Sequence, residues 1–447
     1  MGHDVEEIDA EWDEQVLERA GAIDVAKASA KVCVRLPGSK RRITRVWDVA
    51  ATTRAIMALA DELVELRIER VVLEATSDYW RPFFYLLEAG GLTVWLVNAR
   101  DVKNVPGRPK TDKLDAVWLA KLNERGMLRP SFVPPAEIRQ LRDYTRLRAE
   151  LVEDRSRHKQ RVEKLLEDAL IKLSSVATDI FGVSGRAMLE ALIAGERDPE
   201  VLAEMARGRM KAKSTALKEA LTGSFDTHHA ELAKMLLRQV DALGADIDRL
   251  TARIDELVAA ISAAGPPVDP GTGEIGPAGS LPVLERLDEV PGIGLRAAQV
   301  IVAEIGLDMA QFPTPGHLAS WAKVAPRTIQ SGPRSRSGKV GRGNPYLKRV
   351  LGEIATAAAK TDTFLGERYR RLVRRQGKQK ALVAIERSVL VIVWHLLADP
   401  NARFEDLGAD FYERRVNKDR RTRDLVRQLT ALGHNVTLTP TATPTAA

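Results

Sequence analysis

At 447 residues the chain exceeds what one hydrophobic core supports, so roughly two to four folding units are expected. Apolar residues make up 45 % and charged residues 29 %, which excludes a disordered chain, and the single cysteine, Cys33, excludes an intrachain disulfide and disfavours a thiolate zinc site. The formal net charge of +7 favours an acidic polymer as partner, nucleic acid first, because each neutralised phosphate releases counterions; a merely soluble basic enzyme stays open as the plainer reading.

Residues 1–20 form an acidic N-terminal extension, MGHDVEEIDAEWDEQVLERA, without the apolar stretch of a signal peptide. No run of about 18 apolar residues follows, so a cytoplasmic protein with no membrane partner is expected. From 21 to 130, short β-branched runs (AIDVAKASAKVCVRL, RRITRVW, RVVLEAT, TVWLVN) alternate with turns and helical stretches and describe an α/β domain. The first strands should pair as hairpins, the later one across PGSK, whereas RVVLEA and TVWLVN, joined by the helical YWRPFFYLLEAG, should lie parallel as a βαβ unit in a mixed sheet.

Over 135–262 the pattern becomes helical. Ile138, Leu141, Tyr144, Leu147 and Leu151 recur at helical spacing, and Leu236, Leu243, Leu250 and Leu257 are spaced by seven beside Val240, Ile247, Ile254 and Ile261. Such a repeat buries its seam only against another helix, in the same chain or in a second copy, so a coiled coil is expected, with GRAMLEALIAG and PEVLAEMARG forming a small helical insertion. Residues 263–280 are rich in Gly and Pro and read as a linker. A mainly helical domain should occupy 281–400, a basic helical tail 401–432, and a disordered Thr/Pro/Ala tail 433–447.

Four acids fall where carboxylates could gather. Asp24 lies in the first strand, Glu74 at the end of RVVLEA, and Asp112 and Asp115, three apart, share one face at a helix start. Taken singly each has a structural explanation, such as a strand end or a first-turn acid favoured by the helix dipole. Together they would make a hard oxygen site suited to Mg2+ and to phosphoryl transfer.

LDEVPGIGLRAAQVIVAEIG resembles a helix-hairpin-helix, in which Gly292 and Gly294 would let backbone N–H groups approach a phosphate, though an ordinary tight turn would read the same. The following Arg/Ser/Gly segment should be flexible and exposed, with Arg327, Arg334, Arg336, Lys339, Arg342, Lys348 and Arg349 as nucleic-acid contacts. It holds Ser331, Ser335 and Ser337, none with a triad partner at a telling spacing, so each also reads as a turn residue.

GAIDVAKASAKVCV, VVLEATSDYW, VNARDVKNVPGRPKTDKLDAVWLA, VPGIGLRAAQVIVAEIG and the stretch from AKVAPRTIQSG to GNPYLKR together resemble the DEDD transposases of the bridge-RNA-guided insertion sequences, relatives of the Piv-type DNA invertases. The resemblance implies an RNase H-like domain similar to the Holliday-junction resolvase RuvC, a coiled-coil region and a C-terminal transposase domain. It implies a Mg2+-binding tetrad at Asp24, Glu74, Asp112 and Asp115 and a nucleophilic serine that matches Ser331. Where the family often has Ser-Ser-Gly-Gly, this chain has Gln330-Ser331-Gly332-Pro333 with Ser335 and Ser337 close behind, so any of the three could fill the role. DNA, a guide (bridge) RNA and a homo-oligomer, dimer or tetramer, whose active sites combine acids and serine from different protomers, are the implied partners.

Three other readings are compatible with the residues. One is a structure-selective nuclease acting through metal-activated water. Another is a tyrosine nucleophile at Tyr346, with Arg342, Lys348, Arg349 and His395 as phosphate partners, which would leave the four acids idle. The third is a catalytically silent nucleic-acid-binding protein.

Overall fold

The computed structural model describes residues 17–75, 77–98, 112–263, 281–326, 328–338, 340–415 and 417–439. Most of the N-terminal extension, nearly all of the expected linker, Arg327, Lys339 and the last residues of the tail lie outside this set, as do the side chains of Asp112, Ser331 and Ser337. The chain divides into two compact units, residues 1–133 and 134–447.

The first unit is a five-stranded mixed sheet in the order β3-β2-β1-β4-β5. β1 (Ala20–Val25), β2 (Ser29–Leu36) and β3 (Ile43–Ala50) form an antiparallel meander, and β4 (Arg70–Glu74) and β5 (Val94–Val97) run parallel to β1. This is the pairing expected from the sequence, and it is consistent with an RNase H-like domain. β4, paired on both sides by β1 and β5, is buried along its whole length, its apolar Val71–Leu73 flanked by the buried Arg70 and Glu74. One face packs on α1 (Thr53–Glu65) and α2 (Trp80–Ala89), with Ile23, Val32, Leu73, Ile56, Leu59 and Phe83 among its core residues. On the other face Ala22, Cys33, Val72 and Val97 pack against Ala116, Leu119 and Ala120 of α3 (Asp112–Glu124).

The second unit is built on two long helices, α4 (Ala136–Asp168) and α9 (Thr227–Ala263), of 33 and 37 residues, or about 50 and 55 Å at 1.5 Å per residue. They pack on each other within the chain, so the heptad seam, with Val240, Ile247 and Ile254 buried, finds its partner without a second copy. Between them the insertion folds as α5 (Leu173–Val176), α6 (Val183–Ala194), α7 (Pro199–Glu204) and α8 (Ser214–Leu221) around a separate core that includes Met188, Leu189, Leu202 and Leu217.

Residues 281–400 belong to this same unit. They comprise α10 (Val283–Asp288), α11 (Leu295–Ile305), α12 (Pro315–Trp321), the hairpin β6 (Thr328–Ser331) and β7 (Arg334–Ser337), α13 (Pro345–Ala358), α14 (Phe364–Gln376) and α15 (Lys378–Ala398). Among the described residues α15 alone is long and apolar enough to cross a membrane. Its Ile385, Val389, Leu390 and Val393 are fully buried against neighbouring helices, the position of a core helix. Arg286 of α10, itself buried, donates to the carbonyls of Leu396, Asp399 and Ala402 and so satisfies the open C-terminal end of α15. Beyond lie α16 (Phe411–Arg414) and the exposed, basic α17 (Lys418–Ala431).

Candidate active site

Parallel pairing of β1 with β4 sets Ile23 opposite Leu73, so the next residue on each strand, Asp24 and Glu74, stand side by side at the strands' C-terminal ends. Strand alternation places them on the face of Ala22 and Val72, which is the face that α3 covers. Glu74 is 7 % exposed and Asp24 half-buried.

How α3 lies is fixed by its far end. Asn123, fully buried, donates from Nδ2 to the carbonyls of Gly21 (2.9 Å) and Arg70 (3.0 Å) at the start of β1 and β4, and its own Oδ1 accepts from Arg70 Nε at 2.7 Å. Arg70 in turn lies over the Trp95 ring at 3.7 Å, and the next residue, Glu124, pairs with Arg35 and Arg42. The helix therefore runs antiparallel to β1. Eight residues back from Asn123 is about 12 Å of helix. Three residues on from Gly21 is about 10 Å of strand. Those two steps bring the level of Asp115 to that of Asp24 and Glu74.

Asp112 stands one turn further out at the first residue of α3, and its side chain lies outside the described set. Among the described residues no group of three or more His, Cys, Asp or Glu is close enough to hold a metal ion, so Asp24 and Glu74 stand side by side with Asp115 at their level without these three closing into a ligand cage. In chemistry the set suits magnesium: every donor is a carboxylate oxygen, with no thiolate or imidazole among them. The acid row also has a cation that the sequence reading missed. Lys31 is the β2 partner of Asp24 and reaches to Asp48 of β3 at 2.6 Å.

In the second unit the serine segment differs from the expected flexible loop. Thr328–Ser331 and Arg334–Ser337 pair antiparallel around a two-residue turn at Gly332-Pro333, with Ser331 opposite Arg334. Gly332 has φ +57°, which a glycine in the first central position of a tight hairpin turn supplies at low cost. Ser331 is thus the last strand residue before the tip, Ser335 sits mid-hairpin opposite Gln330, and Ser337 is at the base opposite Thr328. Ile329, Arg334, Ser335 and Arg336 are exposed.

Of the expected nucleic-acid contacts, Arg334, Arg336 and Arg342 are exposed, whereas Lys348 donates to the Gly341 carbonyl at 2.9 Å and Arg349 pairs with Glu153. Gly294 is the exposed N-cap of α11. Gly292, with φ +92°, uses its missing side chain internally, since a Cβ there would stand 2.6 Å from the Ile354 carbonyl of α13. Tyr346 donates to Glu150, and that bond raises its hydroxyl above the ordinary range, which disfavours a phenolate nucleophile.

Residues 22–171 match the DEDD transposase model of IS110, and residues 284–370 match the model of the IS116/IS110/IS902 transposase family. Two separate segments of the chain are thus similar to IS110-type transposase domains. A "Probable family 20 transposase" of Pseudomonas aeruginosa is 27 % identical over 336 residues, 73 % of this chain and 83 % of that protein. The "Insertion element IS110 uncharacterized 43.6 kDa protein" of Streptomyces coelicolor is 32 % identical over 137 residues, 30 % of this chain and 31 % of that protein. Here the IS110 DEDD match contains all four acids, and the second match contains the serine hairpin together with the turn at Gly292–Gly294.

Proposed function

We propose that this chain is an RNA-guided DNA recombinase of an insertion sequence, cutting and rejoining DNA strands through a serine nucleophile with Mg2+ held by Asp24, Glu74, Asp112 and Asp115. The observation that carries the reading is the side-by-side placement of Asp24 and Glu74 on the face covered by α3, whose anchored far end brings Asp115 to their level. Two carboxylates at the C-terminal ends of neighbouring strands supply the hard oxygen donors that a divalent cation takes. Magnesium, when bound there, would act as a Lewis acid on the phosphoryl oxygens.

The protein's own groups supply the rest. Ser331 forms a phosphate ester as a strand oxygen leaves, so the phosphodiester energy is kept in the protein–DNA bond and a second strand can reclaim it. Exposed Arg334, opposite Ser331 in the hairpin, and Arg336 offer charge to the phosphate. The guide RNA and a homo-oligomer, with acids and serine from different protomers, come from the family resemblance.

The test is a covalent trap on a denaturing gel. Wild-type protein with Mg2+ and its DNA should give a protein–DNA adduct, and Ser331→Ala should give none while RNA binding persists. Asp24→Asn and Asp115→Asn should lower strand exchange at least a hundredfold, about 3 kcal/mol of barrier. Cleavage by Ser331→Ala at the wild-type rate would replace the serine with metal-activated water or with one of the neighbouring serines.

A further inference from the structure

A cleft of about 620 Å³ opens in the second unit where α4, α9, α11 and α13 meet. Five arginines line it, 146, 148, 157, 296 and 349, against three glutamates. Three of the arginines are already neutralised: Arg146 makes two 2.8 Å bonds to the carboxylate of Glu304, Arg349 pairs with Glu153, and Arg157 with Asp154.

Arg148 and Arg296 are different. Arg148 is 6 % exposed, yet its hydrogen-bond partner is the neutral amide oxygen of Gln299 at 3.1 Å. The carboxylate of Asp255 is spent on the other end of that amide, 2.7 Å from Gln299 Nε2. Burial and then the nearby Arg296 lower the Arg148 pKa, with Asp255 opposing. Arg296 is exposed in the first turn of α11, a helix whose N-cap Gly294 is open to solvent. A buried guanidinium beside a second one, with no carboxylate in ion-pair contact among the described residues, is an arrangement that an anion relieves. The adjoining helix N-terminus adds positive potential of the same sign.

The remaining wall is apolar, with Ala149, Val152, Val300 and Val350 in it. A cavity of this size with a cationic end and an apolar side accommodates a phosphate together with the sugar and base attached to it. We infer that this cleft is a nucleic-acid site in which Arg148 and Arg296 hold one backbone phosphate and the apolar wall receives its nucleoside. The inference rests on the reading above for its choice of polymer. It does not depend on the chemistry of the acids or of Ser331.

The experiment uses the full-length protein with fluorescein-labelled single-stranded oligonucleotides, DNA and RNA of one sequence, titrated from 50 to 200 mM KCl. Arg296→Ala and Arg148→Met should each weaken binding about tenfold and reduce the slope of log K against log salt by about one. Arg148→Met should fold about as stably as wild type, because it removes a buried charge that makes no ion pair among the described residues, and Arg296→Ala, at an exposed position, tests the site if the buried variant misfolds. Wild-type binding with unchanged affinity and slope in both variants would overturn the cleft assignment while leaving the transposase reading intact. Failure of wild type to bind either oligonucleotide would count against that reading itself. Thermal melting with inorganic phosphate separates the sources: stabilisation by phosphate that both variants lose, with oligonucleotide binding unaffected, would make this a free-anion site and overturn the inference.

Discussion

Glu386 lies inside α15, 9 % exposed, and burial raises its carboxyl above the ordinary value of 4.5, with Lys348 pulling the other way. A carboxyl whose folded pKa is raised binds its proton more tightly in the folded state. Its contribution is therefore fully present below the unfolded pKa and is lost as pH rises through the folded one. Glu386→Gln keeps the shape and removes the titration. It should leave stability at pH 4 unchanged and raise it by about 1–3 kcal/mol at pH 8, the cost of a buried group that must ionise. Melting temperatures of both proteins across pH 4–8 test this, and parallel curves would show that Glu386 ionises as freely as a surface residue. Cys33 is the other residue where burial dominates. Its thiol is pushed up to about 12, with Arg35 and Lys121 opposing, which makes it inert in the folded protein and a reporter of unfolding of the first unit.

At the scale of elements, α3 shows how a helix can place a site from its opposite end. Asn123→Ala removes two bonds to strand carbonyls and strips Arg70 Nε of its acceptor in a buried place, at a cost of about 3 kcal/mol. Asn123→Asp should not rescue it, because the carboxylate restores the Arg70 bond but faces the Gly21 and Arg70 carbonyls without a donor. Both variants should melt lower than wild type, and an unchanged melting temperature in Asn123→Ala would mean that α3 is held elsewhere. The strands of this unit were legible because alternation and β-branching are strong local signals, and so were Asp24 and Glu74 as charges in apolar strands. Asn123 left a fainter trace, a lone amide in the apolar run AVWLAKLN, whose partners lie 53 and 102 residues away. The β6–β7 hairpin was hidden because its exposed strands carry no apolar alternation and depend on backbone pairing and the Gly332-Pro333 turn. The intrachain partner of the heptad seam was hidden too, since a seven-residue repeat specifies a neighbour without saying whose chain it comes from. Arg148 sat among dense charge, and only packing distinguishes a buried arginine from a solvated one.

On the scale of the whole molecule the two units have separate cores, and a buried carboxylate holds much of the second together. Glu304 is fully buried at the end of α11. It accepts both bonds of Arg146 from α4 and one from Asn344 Nδ2 at 2.5 Å, the N-cap of α13, while Arg142 of α4 donates to the carbonyls of Ala303 and Glu304. The residue was visible in the sequence as an acid at an apolar phase of VIVAEIG, but its three partners are 40 to 162 residues distant. Glu304→Gln keeps one acceptor and cannot satisfy Arg146 bidentately, so a half-buried guanidinium loses its counter-charge at about 3–5 kcal/mol. Because Glu304 and the residues it bonds all belong to the second unit, the change should act on that unit only. Calorimetry of the full-length protein should show the transition of the second unit falling in Glu304→Gln, while the temperature at which Cys33 becomes reactive toward a thiol reagent stays at the wild-type value. Asn123→Ala should do the reverse and bring Cys33 out early. Early exposure of Cys33 in Glu304→Gln would show instead that the two units unfold as one cooperative body, and the division at residue 133 would then describe packing density without describing stability.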